Sequence, residues 1–455
     1  MSLANRFVRS IGYPLLLAYR GESALLRHYR DLRRFWGASP EELERHRLEK
    51  LRLLLRHAAA TSPFHRDRLA AVGLSAGTIQ NCDDIRVLPL LDKDDLNQQM
   101  DRILSNAFPR EQLIESSTGG SSGVPLTFYR DRDVTAVRRA QDYFFNARLE
   151  ILPGTKRAWV WGSPIDVDQV ASLKGRLANF LSERAIYFYS FDAGREAIVA
   201  FIRQLQTHRP DAIYAYPNML AVIAEQIRES GAHVPPVLRI ITTAEPTYDW
   251  QRELFRAVFA CDTYERYGAR EIGTVAAAGP EHNGMVVFEP TYYLEVLDEQ
   301  GRTVAGNGMG ELVVTDLYNL AMPLIRYRTG DLVKLEAASP AAESSWRRIT
   351  AVGGRVVDLI IRPDGARIAG EAIIMALRTS GLQQKVQVVQ TAPQAFRVRH
   401  LSGAVIADDV KSRFRSRLEG LLGGAVTIDY QAVGELKYDK SGKYRYVTSE
   451  CNVRR

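Results

Sequence analysis

Apolar side chains recur at helical spacing in the first hundred residues of the chain. Between Glu41 and Ala60 they return every three or four positions, with Ser39 placed as an N-cap and Pro40 at the first helical position. This pattern predicts a helix that Pro63 stops. A second helix is predicted to begin after a cap at Asp92 and to run through residue 100. We therefore expect a mainly helical lead-in over residues 1–110.

Strand-like apolar runs alternate with helix-like ones over the next stretch of the chain. This alternation predicts an α/β domain with a largely parallel sheet. Ligands on such sheets bind at the carboxyl ends of the strands, which is where the polar turns of this stretch fall. The predicted strands are 126–129, 157–161, 185–189, 212–216 and 238–243, and the predicted helices are 133–149, 170–180, 193–207, 218–229 and 248–259.

The pattern changes to short strands and Gly/Asn turns between Met285 and Leu335, which predicts a small antiparallel β subdomain. Past Gly353, short strands flank helical patterns at Gly370–Thr379 and Asp408–Leu422, which predicts a small α+β domain. The expected fold class is therefore mixed α/β and α+β. The expected organisation is a large N-terminal domain over 1–352 and a small C-terminal domain over 353–455.

The N-terminus combines basic and apolar residues. Arg6 and Arg9 precede an apolar run from Ile11 to Tyr19, as in a signal peptide. Pro14 interrupts this run, Arg20 ends it, and no small-residue cleavage site follows, so an amphipathic surface helix resting on the protein is the better interpretation. No apolar run approaches the roughly 20 residues that span a bilayer, and no membrane insertion is expected.

Composition and charge narrow the class of protein. The 455 residues are 46% hydrophobic and 25% charged, as in globular proteins. The net charge of +7 and the pI near 9.2 arise without a dense Lys/Arg block, so nucleic-acid binding rests on the pI alone. The three cysteines are far apart, which argues against a zinc site or a disulfide framework and favours a reducing, cytoplasmic location.

A Gly/Ser-rich stretch follows Glu115. Three glycines and four hydroxyl side chains lie between Ser117 and Gly123. Glycine allows close backbone approach, so successive N–H groups can converge on a phosphate, and the hydroxyls add donors. It is not a Walker A loop, because Val124 stands where that motif needs lysine. From composition alone, a flexible surface loop is an equal alternative.

Four more polar clusters follow at intervals. Each has an ordinary explanation when taken singly: Glu271 as a solvated helix residue, Asp331 as a turn residue, and Lys443 as a surface lysine. Their order along one chain is more specific than any one of them. The clusters are Tyr264–Glu271, Met322–Leu332, Gly353–Asp358 and Lys440–Arg445.

Together with the Gly/Ser stretch, these clusters resemble the core motifs of the adenylate-forming (ANL) superfamily. Their residue patterns are similar to those of its phenylacetate-CoA ligase-like and CapK branch, most specifically over Thr315–Asp331. The resemblance runs from about Ser116 to Tyr446. The resemblance implies a large adenylation domain and a small mobile C-terminal lid domain. It also implies that a carboxylic acid and ATP form an acyl-adenylate and pyrophosphate, after which the acyl group passes to a nucleophile.

The resemblance assigns roles that fit the residue types. Attack of a carboxylate on the α-phosphate brings two anions together, so charge neutralisation and positioning carry the catalysis. Lys443 and Glu271 are the implied catalytic residues, with Glu271 as the ligand of Mg²⁺ and Lys443 bridging the acid and the α-phosphate. The loop is expected to hold the β- and γ-phosphates, Tyr267 to lie against adenine and Asp331 to accept from the ribose hydroxyls. The implied ATP/AMP-binding residues are Thr118, Gly119, Gly120, Ser121, Ser122, Gly123, Glu245, Tyr267, Gly268, Asp331 and Arg355.

Two positions depart from the family pattern. Val124 occupies a place where many relatives carry Lys or Thr, which shifts phosphate binding onto backbone and hydroxyl groups. Val357 stands where Asp or Lys commonly forms the hinge between the two domains, and Asp358 is the neighbouring alternative.

The acid pocket is expected at predicted strand ends that precede Glu271. Aromatic and small residues there suit a flat pocket for an aryl acid, while core packing and turns are the competing explanation. Whether Glu245 binds a substrate or the neighbouring backbone stays open. The candidate pocket residues are Trp161, Gly162, Tyr214, Tyr216 and Ala244.

The first functional hypothesis is an ATP- and Mg²⁺-dependent ligase that activates a carboxylic acid, expected to be aromatic, and forms a CoA thioester. A close variant transfers the acyl group to an amine or a carrier protein in natural-product or polysaccharide biosynthesis. A hypothesis of a different class is a non-catalytic nucleotide-binding accessory protein. The expected partners are a small carboxylic acid and the acyl acceptor, without nucleic acid, and the expected assembly is a monomer or homodimer.

Overall fold

The computed structural model describes most of the chain. The described residues are 6–19, 22–117, 126–161, 173–189, 195–304, 308–338, 342–355, 359–364, 367–382, 386–403, 405–436 and 445–451.

The chain divides into two compact units. The first is made of Met1–Glu295, Val313–Arg328 and Leu335–Thr350, and the second of Val296–Leu312, Thr329–Lys334 and Ala351–Arg455. The division expected at residues 352/353 remains a prediction.

The lead-in is helical. The predicted helix over 41–60 is confirmed, and it begins at Pro40 because the Ser39 side chain accepts from the Glu42 N–H at 3.2 Å. Pro63 does end this helix, but it also starts the next one, because Ser62 caps it and proline is tolerated at the first helical position. The helices are α1 (Tyr13–Tyr19), preceded by a π-helical turn (Val8–Gly12), then α2 (Ala24–Trp36), α3 (Pro40–Thr61), α4 (Pro63–Ala71) and α5 (Lys93–Ile103).

The apolar face of α3 forms part of a buried core. Leu51, Leu54 and Leu55 pack in one cluster with Ile85 from the short 3₁₀ helix Cys82–Val87. The same cluster contains Tyr293, Leu317 and Ile325. The lead-in is thus built into the core of the first unit. No helix among the described residues is long and apolar enough to cross a bilayer.

Parallel strands form the centre of the first unit, as the alternating pattern predicts. Their order in the sheet is β4-β3-β5-β6-β7, and each pairing is parallel. Because β4 lies outside β3 and β5 lies on its other side, the strand order reverses between β3 and β5. A reversal of this kind opens a crevice at the carboxyl ends of the strands. The strands are β3 (Arg157–Trp161), β4 (Ala185–Tyr189), β5 (Ala212–Ala215), β6 (Arg239–Thr243) and β7 (Thr263–Ala269).

Helices connect these strands, because neighbouring parallel strands need a long crossover connection. Their buried residues are apolar for the most part, and β5 is buried along its whole length. The connecting helices are α7 (Leu173–Phe180), α8 (Arg195–His208), α9 (Pro217–Ser230) and α10 (Asp249–Phe259), and α6 (Arg132–Arg148) precedes β3.

The short strands expected after residue 285 continue the large sheet. β8 (Gly273–Ala278) pairs antiparallel with β7 and with β9 (Met285–Val287), and β9 also pairs antiparallel with residues 348–349. The last strand of the stretch predicted between Met285 and Leu335 begins at Tyr327 and ends at Glu336. The remaining strands are β10 (Tyr292–Leu297), β11 (Met309–Asp316), β12 (Tyr327–Glu336) and β13 (Arg348–Arg355).

A two-stranded hairpin frames the Gly/Ser loop. β1 (Ile114–Ser117) pairs antiparallel with β2 (Thr127–Arg130), and Ser117 lies opposite Thr127. The two ends of the loop are therefore held next to each other. The loop residues 118–125 themselves lie outside the described residues.

The second unit contains a four-stranded sheet of order β18-β17-β16-β19. The predicted helices at Gly370–Thr379 (α11) and Asp408–Leu422 (α12) are confirmed. Strand β19, which joins the sheet parallel to β16, has no counterpart in the sequence prediction. The strands are β14 (Leu359–Ile361), β15 (Arg367–Ala369), β16 (Val386–Ala392), β17 (Ala395–Leu401), β18 (Thr427–Val433) and β19 (Val447–Ser449).

Candidate active site

Aromatic side chains line one face of the sheet where the strand order reverses. Trp159 of β3 lies opposite Tyr214 of β5, and their rings stack with centroids 4.4 Å apart. One step nearer the strand ends, the rings of Trp161 and Tyr216 lie 5.0 Å apart. The hydroxyl of Tyr214 donates to the side-chain oxygen of buried Asn146 at 2.6 Å. Tyr214 thus packs in the core beneath the outer pair.

Burial keeps the Tyr214 hydroxyl protonated. Removal of this ring from water raises the pKa of Tyr214 to about 12, against the opposing effect of Arg157. Trp161 is half-exposed and Tyr216 is buried. The role of Trp161 and Tyr216 as pocket residues remains a prediction. Gly162 lies outside the described residues.

A strained turn follows β6 at the next strand end. Ala244 has φ of +72°, a left-handed conformation that residues with a side chain rarely adopt. The following carboxylate of Glu245 accepts from the Asn218 side-chain amide at 2.8 Å, and Asn218 in turn accepts from Gln251 at 2.9 Å. The amides of α9 and α10 thus orient Glu245 at the mouth of the crevice.

The end of β7 carries the predicted Tyr-Gly-x-x-Glu cluster. Tyr267 and Gly268 lie in β7 at an irregularity in its pairing with β8. A Cβ on Gly268 would lie 2.1 Å from the Gly273 carbonyl oxygen, so only glycine fits there. Glu271 follows in the turn to β8 and is 3% exposed. It is therefore a buried turn residue, and the explanation as a solvated helix residue is wrong.

Side chains from distant parts of the first unit hold Glu271. The Tyr327 hydroxyl donates to its carboxylate Oε1 at 2.9 Å. Arg138 of α6 donates to the backbone carbonyl of Glu271 at 2.6 Å and to that of Arg270 at 3.3 Å. Tyr292 fixes the next residue by donating to the Ile272 carbonyl at 2.6 Å. The carboxylate is therefore held both by its side chain and by its backbone.

The root of the Gly/Ser loop lies at the same turn. The guanidinium of Arg270 donates to the backbone carbonyl of Ser117, the last residue of β1, at 3.1 Å. Ser117 is also the last described residue before the loop. The structure thus brings Glu271 and the start of the predicted phosphate loop together, although they are far apart in the chain.

Arg138 is a residue that sequence reasoning missed. Besides binding the turn, its guanidinium lies 3.5 Å from the carboxylate of Asp316. Asp316 accepts from the N–H groups of Tyr318 and Asn319, and burial raises the pKa of its carboxyl. The signal in the sequence was weak: Arg138 directly follows Val137, a buried residue of α6.

A buried ion pair supports the segment that carries Tyr327. Arg326 has φ of +56°, and its guanidinium binds both carboxylate oxygens of Glu295 at 2.8 and 2.9 Å. It also donates to the backbone carbonyls of Arg86 and Leu88. Charge-assisted bidentate pairs are the strongest hydrogen bonds in proteins. This pair therefore sets the direction in which the adjacent Tyr327 side chain enters the site.

The donor set around Glu271 fits the expected metal. Mg²⁺ is a hard cation that proteins hold through one or two carboxylates together with substrate phosphates and water. Glu271 supplies one buried carboxylate, and the Tyr327 hydroxyl occupies only one direction at one of its two oxygens.

The other predicted site residues belong to the second unit. Asp331 lies in β12, where its N–H donates to the Thr329 hydroxyl at 3.1 Å after Gly330 with φ of +76°. Arg355 is the last residue of β13, and its side chain lies outside the described part. Lys443 also lies outside the described residues. The roles expected for these residues remain predictions.

Known proteins resemble this chain over most of its length. It is 28% identical over 337 residues to a phenylacetate-coenzyme A ligase of Pseudomonas putida, covering 71% of this chain and 73% of that protein. It is 26% identical over 301 residues to Protein CapK of Staphylococcus aureus, covering 66% and 64%. No protein-family model matches the chain.

A solved structure shares the fold. The crystal structure of 2-hydroxyisobutyryl-CoA ligase in the postadenylation state superposes with a TM-score of 0.74 at 19% identity, covering 92% of this chain and 91% of that one. The mixed α/β architecture expected from the sequence is confirmed by this likeness.

Proposed function

Because the chain is a member of the adenylate-forming superfamily, in its phenylacetate-CoA ligase-like branch, we propose that it is an ATP-dependent ligase that converts a carboxylic acid to a CoA thioester. The observation that carries the proposal is the buried Glu271 carboxylate, held by Tyr327 and Arg138 beside the root of the Gly/Ser loop. This arrangement lies at the carboxyl end of the parallel sheet, where such folds bind their ligands.

In the proposed reaction the acid carboxylate attacks the α-phosphate of ATP and pyrophosphate leaves. Glu271 would hold Mg²⁺, which supplies positive charge to the phosphates when bound. The loop Thr118–Gly123 receives the β- and γ-phosphates through backbone N–H and hydroxyl groups. Lys443 offsets the charge of the two reacting anions as a compact cation.

The remaining predicted residues bind the rest of the nucleotide in this proposal. Tyr267 and Gly268 lie against the adenine, Asp331 accepts from the ribose hydroxyls, and Arg355 contacts the nucleotide. Glu245 is proposed to border the place where acid and nucleotide meet, which its position after β6 and its hydrogen bond from Asn218 support.

We infer that the acid is aromatic from the packing of aromatic side chains where the strand order reverses, between β3 and β5. The half-buried ring of Trp161 and the buried ring of Tyr216 pack with centroids 5.0 Å apart and a tilt of 36°, which supports an aromatic neighbour in the crevice. Aromatic rings favour offset or tilted contact with other rings at such separations. The thiol of CoA is the proposed acceptor, with an amine or a carrier protein as the alternative in the second half-reaction. A cytoplasmic monomer or homodimer completes the proposal.

The experiment is a pyrophosphate-release screen over aromatic, hydroxy and amino acids, with and without CoA. Acid-dependent pyrophosphate–ATP exchange is expected for the best acid, and thioester only when CoA is added. Hydroxamate trapping of an activated acid without thioester formation would instead select the amine or carrier acceptor. ATP binding by calorimetry without turnover of any acid would select the non-catalytic nucleotide-binding protein.

Substitution of the proposed catalytic lysine tests the mechanism directly. Lys443→Ala is expected to abolish exchange, because it removes the cation proposed to lie between the attacking carboxylate and the α-phosphate. The matched control is Lys411→Ala, which should keep wild-type exchange, since the contacts of Lys411 are a surface pair with Asp408 at 3.0 Å and the ring of Tyr430. Wild-type exchange in Lys443→Ala would show that the assigned chemistry is wrong.

A further inference from the structure

The N-terminal helical segment presents apolar side chains to solvent. Phe7, Ile11, Leu15 and Tyr19 are 50%, 50%, 63% and 80% exposed. They follow one another at intervals of four residues, so they form a continuous row along the segment made of the π-helical turn and α1. We call this row the N-terminal stripe.

The opposite side of the same segment is already packed. Val8, Leu16 and Leu17 are buried, and the Tyr13 ring stacks on Tyr143 of α6 with centroids 6.1 Å apart. The segment is therefore anchored without any help from the N-terminal stripe. Large apolar side chains exposed in a row, unlike single ones, mark an interaction surface.

The stripe adjoins a second apolar patch. Gly12 faces Leu181, and a Cβ on Gly12 would lie 2.8 Å from the Leu181 Cδ2, so the two segments approach each other closely. Leu181 directly follows α7, on which Leu177 and Phe180 are 60% and 46% exposed. The close contact thus brings the exposed end of α7 beside the stripe and widens the apolar surface.

The two described segments that form this surface carry positive charge. Residues 6–19 contain two arginines and no acidic residue, and residues 173–182 contain one lysine, one arginine and no acidic residue. The nearest acidic residues in sequence are each paired within the protein, Glu22 with Arg139 and Glu183 with Arg157. Arg6, Arg9 and Arg176 are exposed. The apolar surface is therefore flanked by positive charge.

We propose that this surface binds peripherally to an anionic lipid membrane, with the N-terminal stripe entering the headgroup region and the arginines contacting lipid phosphates. Apolar residues beside arginines on a helix lying flat against the protein are the features of an interfacial helix. A two-fold contact between copies of this chain would instead place the arginines of both copies together without acidic partners. Membrane binding brings the same arginines against opposite charge.

The test is flotation of the full-length protein with lipid vesicles. Vesicles of phosphatidylcholine with about one third phosphatidylglycerol are compared with phosphatidylcholine alone. We expect binding to the anionic vesicles that weakens with salt, because each arginine near the surface contributes about fivefold in affinity. Arg9→Ser should lower the affinity about fivefold, and Leu15→Asp at least about tenfold, through loss of apolar burial and an added negative charge.

Leu53→Asp is the matched control, because Leu53 is an exposed leucine on another helix, 46% exposed. It should leave vesicle binding unchanged, and both aspartate variants should unfold at the wild-type temperature. The proposal is overturned if the wild type does not float with anionic vesicles, or if Leu15→Asp floats as well as the wild type. A dimer in sedimentation velocity that Leu15→Asp converts to a monomer, without vesicle binding, would assign the stripe to a second copy of the chain. Pyrophosphate exchange does not enter this test, so it stands apart from the proposed ligase activity.

Discussion

The hydrogen bond from Tyr327 to Glu271 gives a sharp test of the proposal that Glu271 holds Mg²⁺. Tyr327→Phe removes one hydroxyl and keeps the ring, which is fully buried in the first unit. The carboxylate of Glu271 loses the donor that orients its Oε1 at 2.9 Å, while the contacts of Arg138 to the backbone of the turn remain. The substitution therefore changes the orientation of one carboxylate and leaves its backbone in place.

The size of the expected effect follows from the position of Tyr327 behind Glu271, the proposed metal ligand. Groups that orient a metal ligand from behind typically cost about 10–100-fold in metal affinity when they are removed. A hydrogen bond to a charged group is also worth about 1.5–3 kcal/mol of stability. We therefore expect Tyr327→Phe to need about 10–100 times more Mg²⁺ for half-maximal pyrophosphate exchange, with the rate at saturating Mg²⁺ close to wild type.

The protein offers a matched control for this variant. Tyr293 is also buried, and its hydroxyl donates to the Asp83 carboxylate at 2.5 Å, away from Glu271. Tyr293→Phe should therefore lower the unfolding temperature to a similar degree without changing the Mg²⁺ requirement. If both variants show the wild-type Mg²⁺ dependence, Tyr327 contributes only to stability, and the reasoning that links it to the metal through Glu271 fails.

Two further predictions concern stability and are measured by urea unfolding. Arg326→Met should lower the free energy of unfolding by about 3–5 kcal/mol, because it leaves the Glu295 carboxylate buried without its partner. Arg302→Met, which breaks the pair of Arg302 with Asp298 at the surface, should lower it by less than about 1 kcal/mol. Equal losses would contradict the assigned role of the buried pair. Burial, with Arg68 beside it, lowers the pKa of His65 to about 3. As the pH falls below about 6.5, His65 is therefore protonated in the unfolded chain but stays neutral in the folded protein. Stability from this residue is complete above pH 6.5 and falls by about 1.4 kcal/mol per pH unit below it. Between pH 7 and pH 5 the free energy of unfolding should fall by about 2 kcal/mol less in His65→Gln than in the wild type. The same pH profile in both proteins would exclude His65 as the source of the loss.

Local patterns predicted the parallel part of the fold well. The runs at 157–161 and 185–189 became β3 and β4 with the same bounds, because β-strands buried between helices are continuous apolar segments. Pro63 was interpreted only as the end of a helix, although the same residue begins α4. A proline that ends one helix looks the same in the sequence as a proline that begins the next. Here the cap formed by the preceding Ser62 decides that Pro63 does both.

The polar cluster around Glu271 shows where sequence reasoning stopped. The cluster could be found in the chain, but its strand β7 and the burial of Glu271 could not, since the segment is rich in charged residues. Burial of that carboxylate depends on Tyr327, 56 residues away, and on Arg138, 133 residues away. Neither partner leaves a trace in the local pattern of the cluster.

The sequence by itself determined the kinds of group available: a Gly/Ser stretch rich in donors, a carboxylate after Tyr-Gly, and alternating apolar runs that form a parallel sheet. These are properties of residues that are neighbours in the chain, so they follow directly from short-range sterics and hydrogen bonding. Only the tertiary structure decided that Arg270 ties Ser117 to the Glu271 turn and that Phe7, Ile11, Leu15 and Tyr19 stay uncovered. Contacts between distant segments depend on how whole helices and strands pack, and no local spacing specifies them.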